Sequence, residues 1–89
     1  MGILIETPCD IDETLYLLHK TSQYYGDRYE IIKVFCAGVY NYGKGWYAEL
    51  RTNRNKYKYV EYRVPFTDFG IKVFKAKEEA EERIKLIYS

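Results

Sequence analysis

The residues best equipped for recognition chemistry fall in one stretch: Trp46-Tyr47, then Arg51, Arg54, Lys56, Tyr57, Lys58 and Tyr59. Basic side chains alternate there with aromatic rings. A curved sheet presenting Tyr between Arg and Lys can stack nucleobases and hold phosphates, at roughly 1–3 kcal/mol per stacked base. Tyr, Trp and Arg are also the types that dominate protein–protein hot spots. A third reading needs no partner: Tyr is a good strand former that covers a small sheet. A second candidate contact is Tyr24-Tyr25, followed by Gly26-Asp27-Arg28. Two adjacent tyrosines in a loop cannot both point inward, so at least one is expected at the surface.

The residue types that catalysis needs are sparse. His19 is the only histidine, and beside Leu18 in a strand it reads as structural. Neither Cys9 nor Cys36 has a histidine at a nucleophile or zinc-site spacing. Gly43-Lys44-Gly45 lacks the length and the following Lys-Ser/Thr of a phosphate loop. The carboxylates gather at residues 10–13 and in the first turns of a C-terminal helix, where solvent reaches them. The expectation is a protein that is not an enzyme, with no catalytic residues, metal or cofactor.

Bulk properties narrow the partner. Fourteen Lys+Arg against thirteen Asp+Glu leave a formal charge of +1. Binding dominated by phosphates usually rests on a clear basic excess, and mimicry of DNA on a clear acidic one, so only the local distribution of charge can speak. With 47% hydrophobic and 18% aromatic residues over 89 positions, the chain is expected to fold as a single domain, 1–89. Two cysteines are too few for a disulfide framework. Cys36, between Phe35 and Ala37, reads as a core residue. No leader-like run or apolar span of about 20 residues is evident, so the expected location is cytoplasmic.

The elements that must position these residues are mostly strands. Thr14–His19 is a short apolar run, and a loop holding Tyr24 to Asp27 follows it. Residues 29–40 form a long β-prone run, with Ile32, Val34, Cys36 and Gly38 on one face and Ile31, Lys33, Phe35 and Val39 on the other. Gly38 marks a bend or bulge. Asn41–Gly45 is a turn. Residues 46–52 alternate, with Trp46, Ala48 and Leu50 inward and Tyr47, Glu49 and Arg51 outward. Asn53–Lys56 is a second turn, residues 57–64 return as a strand, and Pro65 ends it. A turn over 66–70 and a short strand over 71–74 come next. Ala76, Ala80, Ile84 and Ile87 then fall at helical spacing, behind a first turn rich in Glu that suits the helix dipole. The fold class is α+β: a small curled antiparallel sheet or SH3-like barrel of about five strands with one C-terminal helix. An open sheet with the helix on one face is the alternative.

Two stretches carry a resemblance. Pro8-Cys9-Asp10-Ile11-Asp12-Glu13-Thr14-Leu15-Tyr16 resembles the P-C-x-(V/I)-G-D-T-(V/L)-Y opening of small uncharacterised proteins of phages and mobile elements of Firmicutes. Residues 64–81, Val64-Pro65-Phe66 through Glu78-Glu79-Ala80-Glu81, are similar to the closing (I/V)-P-F-x-x-(F/I)-G-K-x-V-F-x-T-x-E-E-A-E of the same group. The match covers the two ends, and this chain departs from it at Asp12 (Gly in the pattern), Ile71 (Lys) and Ala76 (Thr). The resemblance implies a mobile-element origin and supplies no catalytic residue. With the aromatic surface, it points to an accessory protein that binds and inhibits a host protein in the bacterial cell, a CRISPR nuclease complex or similar defence component being the sharpest version. A small nucleic-acid-binding module on the same surface is the alternative. Sequestration of a small signalling molecule is a third, and an exposed edge strand leaves room for a homodimer.

Overall fold

The computed structural model of the chain describes residues 7–23, 26–55 and 57–88. Five antiparallel strands, β1 (Thr14–Gln23), β2 (Gly26–Asn41), β3 (Trp46–Arg51), β4 (Glu61–Pro65) and β5 (Val73–Phe74), form one sheet in the order β4-β3-β2-β1-β5, and helix α1 (Lys77–Tyr88) closes the chain. The sheet is open. Its edges, β4 and β5, are separated by the three other strands, so the SH3-like barrel is not formed and the fold is the curled open sheet with a helix on one face.

The register assigns every side chain to a face. Leu15 pairs with Val34, Leu17 with Ile32, Cys36 with Leu50, and Leu50 with Tyr62. These positions share one face with Val64 and Val73, and most of them are buried. Cys9, ahead of the sheet, and Phe66 and Phe69, from the 3-10 turn Phe66–Asp68 and its exit, pack onto the same core. The opposite face is split. Over β1, β5 and the start of β2, Leu18, Phe74 and Ala80 form a second buried cluster with Tyr16, Ile31 and Ile84 against it. Ala80 is the one buried residue of α1, as a helix packed by a small residue close to a sheet requires. Among the described residues no helix lies over β3, β4 and the rest of β2.

A bulge corrects the alternation read along the central strand. Cys36 pairs with Leu50 and Gly38 with Glu49, leaving Ala37 as the extra residue. The parity therefore flips: Val39 joins Ile32, Val34 and Cys36 on the core face, and Gly38 turns to the other. The bulge lies one residue from the glycine that signalled it.

Three boundaries also differ from the pattern. β1 continues to Gln23 because its ladder with β2 runs unbroken through Thr21↔Arg28 and Ser22↔Asp27 to Gln23↔Gly26. A polar two-stranded ribbon thus stands where a loop was expected, and Tyr24 and Tyr25 lie outside the described residues. β4 starts at Glu61, four residues later than the pattern suggested. Asn and Thr side chains capture the preceding backbone: Tyr57 N donates to Asn55 Oδ1 at 2.9 Å, Asn55 N to Asn53 Oδ1 at 3.0 Å and Val60 N to Thr52 Oγ1 at 3.0 Å. Such local bonds compete with the ladder. β5 holds only two residues, because Ile71 N and Lys72 N both donate back to Asp68 O, at 3.0 and 2.8 Å, in a tight turn.

One non-glycine residue has an unusual backbone conformation. Asp12 has φ of +69°, in the left-handed region that glycine enters without a steric penalty. The turn over 10–13 is held by Asp12 N donating to Cys36 O at 2.7 Å and by Asp10 N donating to Glu13 Oε1 at 2.8 Å.

Candidate functional site: the uncovered half of the sheet

The face that α1 leaves open is built by the β2–β3 hairpin and β4. Gly43, at φ +83°, and the Asn41 side chain, which accepts from Gly43 N at 2.7 Å, close the turn so that Tyr40 stands opposite Tyr47. Further along, Gly38 faces Glu49, which faces Arg63; Phe35 faces Arg51, which faces Glu61. Aromatic and charged side chains therefore meet across three strands.

The arginines stand over rings. The Arg51 guanidinium is 4.5 Å from the Tyr59 ring centre, that of Arg54 is 4.3 Å from Phe35, and that of Arg63 is 5.6 Å from Tyr42. Tyr42 in turn meets Tyr47 edge-on at 5.4 Å and Tyr40 at 6.2 Å. Every one of these cations also has a carboxylate. Arg51 Nη2 is 3.3 Å from Glu49 and 4.0 Å from Glu61, Arg63 is 3.9 Å from Glu61, and Arg54 is 3.1 Å from Asp12. Arg54 also donates to the Asp12 carbonyl at 3.3 Å.

Glu49 is the centre of this array. It faces away from the main core, as the alternation of β3 indicates, yet it is only 8% exposed. Its Oε2 accepts from Tyr40 Oη at 3.5 Å as well as from Arg51. Tyr40 reaches it by lying across Gly38, whose absent Cβ would sit 2.9 Å from the Tyr40 hydroxyl. The glycine thus opens the space that the tyrosine fills.

The sequence-predicted contact residues divide. Tyr47, Arg51, Arg54 and Tyr59 are brought together on this face. Trp46 is on the other one, stacked on Phe66 at 6.2 Å, since neighbours along a strand point to opposite sides. Tyr57 and Lys58 are exposed in the 52–60 loop; Lys56, Tyr24 and Tyr25 lie outside the described residues. Linear reading missed Phe35, Tyr40, Tyr42, Glu49, Glu61 and Arg63. The turn at 41–45 carried the signal for Tyr40 and Tyr42, because closing that hairpin folds them over against Tyr47.

The groups considered for catalysis have structural partners. His19 Nδ1 is 3.4 Å from Glu30, too poorly aligned for a hydrogen bond, and the ring meets Tyr62 edge-on at 5.6 Å. Cys9 and Cys36 are both buried and reduced. Burial first, then the neighbouring Cys36 thiol, pushes the Cys9 thiol up to about 12, which keeps it protonated and unreactive. Among the described residues no three His, Cys, Asp or Glu side chains gather to hold a metal ion, and no helix is long and apolar enough to cross a membrane.

No protein-family model, curated protein or solved structure matches this chain.

Proposed function

We propose that the chain is a non-catalytic binding protein whose open sheet face docks against a protein partner. The supporting observation is the internal neutralisation of that face. Phosphate recognition needs cations that neutralise phosphates and release counterions, whereas Arg51, Arg54 and Arg63 each stand within 4.0 Å of a carboxylate. One face of the Phe35 and Tyr59 rings, which a base would stack on, already carries a guanidinium. Half-exposed Tyr side chains beside arginines on a sheet instead have the composition of a protein hot spot. Tyr42 is 50% and Tyr40 44% exposed, enough to be contacted and enough area to lose to a partner.

The finer reading extends the same surface. The partner is a host protein in a bacterial cell, and occlusion of a defence complex is the mechanism that a mobile-element origin would favour. The experiment is capture on the tagged chain from bacterial lysate, with and without nuclease, repeated with Tyr42→Asp. A protein held in both halves by the native chain and lost from the variant supports the proposal. Retention that disappears with nuclease favours the nucleic-acid alternative. Retention that Tyr42→Asp leaves unchanged, the fold being intact by circular dichroism, overturns the assignment of this face.

A further inference from the structure

The sheet ends on one side at β4, and the phase of the β3–β4 ladder decides which of that strand's backbone groups are free. Thr52 N donates to Val60 O at 3.1 Å, just beyond the Arg51↔Glu61 pair. In an antiparallel ladder, hydrogen-bonded pairs alternate with non-bonded ones. Tyr62 and Val64 therefore bond to Leu50 and Ala48, while Glu61 and Arg63 turn their N–H and C=O groups away from β3. Pro65, the next outward position, has a carbonyl and no donor. Among the described residues no strand lies beyond β4 to take up these groups.

A free edge invites pairing with another chain, and charge and proline are the usual guards against it. Here the guards leave one self-pairing open. For β4 to meet β4 of a second copy antiparallel, outward positions must pair with outward positions. The register can then centre on Glu61, Tyr62 or Arg63. Centring on Glu61 sets the two Glu61 side chains against each other. Centring on Arg63 does the same with arginine and puts Pro65, without a donor, opposite Glu61. Like charges directly opposite are destabilising, and opposite charges stabilise. Centring on Tyr62 sets Glu61 of each copy against Arg63 of the other at both symmetric contacts. Glu61 has Arg51 at 4.0 Å and Arg63 at 3.9 Å within its own chain. Both contacts are long and the Arg63 side chain is 59% exposed, so each group keeps bonding capacity for a partner across the edge. On the core side of the sheet, where Tyr62 and Val64 pack, this register lays Val60 opposite Val64 of the second copy. Val60 is 54% exposed in the single chain, and the second copy covers it.

We propose that β4 pairs with β4 of a second copy, antiparallel and centred on Tyr62, joining two five-stranded sheets into one. Glu61 and Arg63 exchange backbone hydrogen bonds and opposite charges at each of the two symmetric contacts. The twofold axis stands perpendicular to the sheet, so both open faces lie on one side, next to each other, with α1 of each copy at the outer flanks. The proposed docking face is thereby doubled into a trough between two helices, but the pairing of the edges does not depend on what that face binds. A contact of this length is small, so the dimer forms in a concentration-dependent equilibrium.

The test is sedimentation equilibrium of the full chain from about 10 μM to about 1 mM, where a monomer–dimer equilibrium is expected. Glu61→Arg and Arg63→Glu each bring like charges together at both contacts and should each weaken self-association by about tenfold or more. Mixed in equal amounts, the two variants should pair with each other more tightly than either pairs with itself, because every contact is again acid against base. A folding defect cannot produce that recovery. In the native chain the Glu61 and Arg63 amides should exchange with solvent rapidly when dilute and slowly when concentrated, while those of Tyr62 and Val64 stay protected throughout. A chain that is monomeric over the whole range would overturn the proposal and leave the edge to an extended segment of another protein. A dimer that both variants leave unchanged, variants that pair no better together than alone, or Glu61 and Arg63 amides indifferent to concentration would each overturn it as well.

Discussion

Removing Glu49 tests whether the open face is held together as described. The carboxylate is nearly buried, with Arg51 at 3.3 Å and the Tyr40 hydroxyl at 3.5 Å. In Glu49→Ala the guanidinium keeps Glu61, at 4.0 Å, as its one acidic partner beside the Tyr59 ring, and its buried Nε already has no hydrogen-bond partner. Breaking a fully buried ion pair costs roughly 3–5 kcal/mol. The Arg51 side chain is 32% exposed, so water recovers part of that, and a loss of about 1.5–2.5 kcal/mol is expected. Arg51→Ala should cost at least as much, because it strands the more buried partner. The double variant should then show a coupling of about 1 kcal/mol. Urea unfolding followed by the fluorescence of Trp46, the single tryptophan, reads all three. Losses below about 0.5 kcal/mol that simply add would refute the reasoning. The same pair bears on partner choice. Native protein should bind a single-stranded oligonucleotide weakly at physiological salt, and Glu49→Gln with Glu61→Gln should strengthen that binding and steepen its salt dependence. A steep salt slope in the native chain would mean that the carboxylates do not neutralise the arginines.

Further expectations concern the fold. At Asp12, with φ +69°, Ala should be less stable than Gly by about 1–2 kcal/mol; both lose the Arg54 ion pair, so comparing their urea midpoints isolates the backbone. Ala76 precedes the first helical residue, its carbonyl accepting from Glu79 N at 3.2 Å and Ala80 N at 3.4 Å. Ala76→Thr would complete a capping box with Glu79 and should add about 0.5–1 kcal/mol. The Cys9 thiol, raised by burial from an ordinary value of 9.0 to about 12, gives a pH dependence with a definite sign. Below pH 9 both folded and unfolded chains hold the proton, and its contribution is fully present. Between pH 9 and 12 the unfolded chain releases the proton first, so stability falls as pH rises, by about 1.4 kcal/mol for each unit above the unfolded value. Subtracting the pH profile of Cys9→Ala from that of the native chain removes the tyrosine and lysine contributions, and a flat difference would contradict the assignment.

The antiparallel order and the helix were legible because their signals are periodic: Trp46–Arg51 alternates with period two, and Ala76, Ala80 and Ile84 recur with the helical period. What escaped were features decided by pairing. Apart from Thr21, Lys20-Thr21-Ser22-Gln23 carries no strand signal; these residues are extended because β2 lies beside them. The residues after Asn55 look β-prone, and short side chains at Thr52, Asn53 and Asn55 take their backbone groups before a ladder can. Val39 changed faces because one residue, Ala37, has no partner. The site suffered the same limits. A linear scan groups Trp46 with Tyr47, whereas the pleat separates them. It also separates Tyr42 from Arg63 and Phe35 from Arg54, which the register and the return of the loop bring into contact.

The distribution of cover explains why this face is composed as it is. A single helix about 10–12 Å across covers only two or three strands at their spacing of about 4.8 Å, here β5, β1 and the start of β2. The remaining face must limit its own contact between water and apolar surface. Tyrosine and arginine do this well, because each lays a flat apolar body on the sheet and keeps a polar tip in solvent. The covering of a small sheet and the binding role proposed for this face thus call for the same side chains and are not rival accounts of the tyrosines. Since the cations are neutralised in place, long-range attraction contributes little to encounter. Association through this face should proceed at the unsteered rate of about 10⁵–10⁶ M⁻¹s⁻¹ and change little with salt, and affinity should reside in the dissociation rate, where replacing Tyr40 or Tyr42 has its effect. An association rate that falls steeply with ionic strength would place the contact on a different surface.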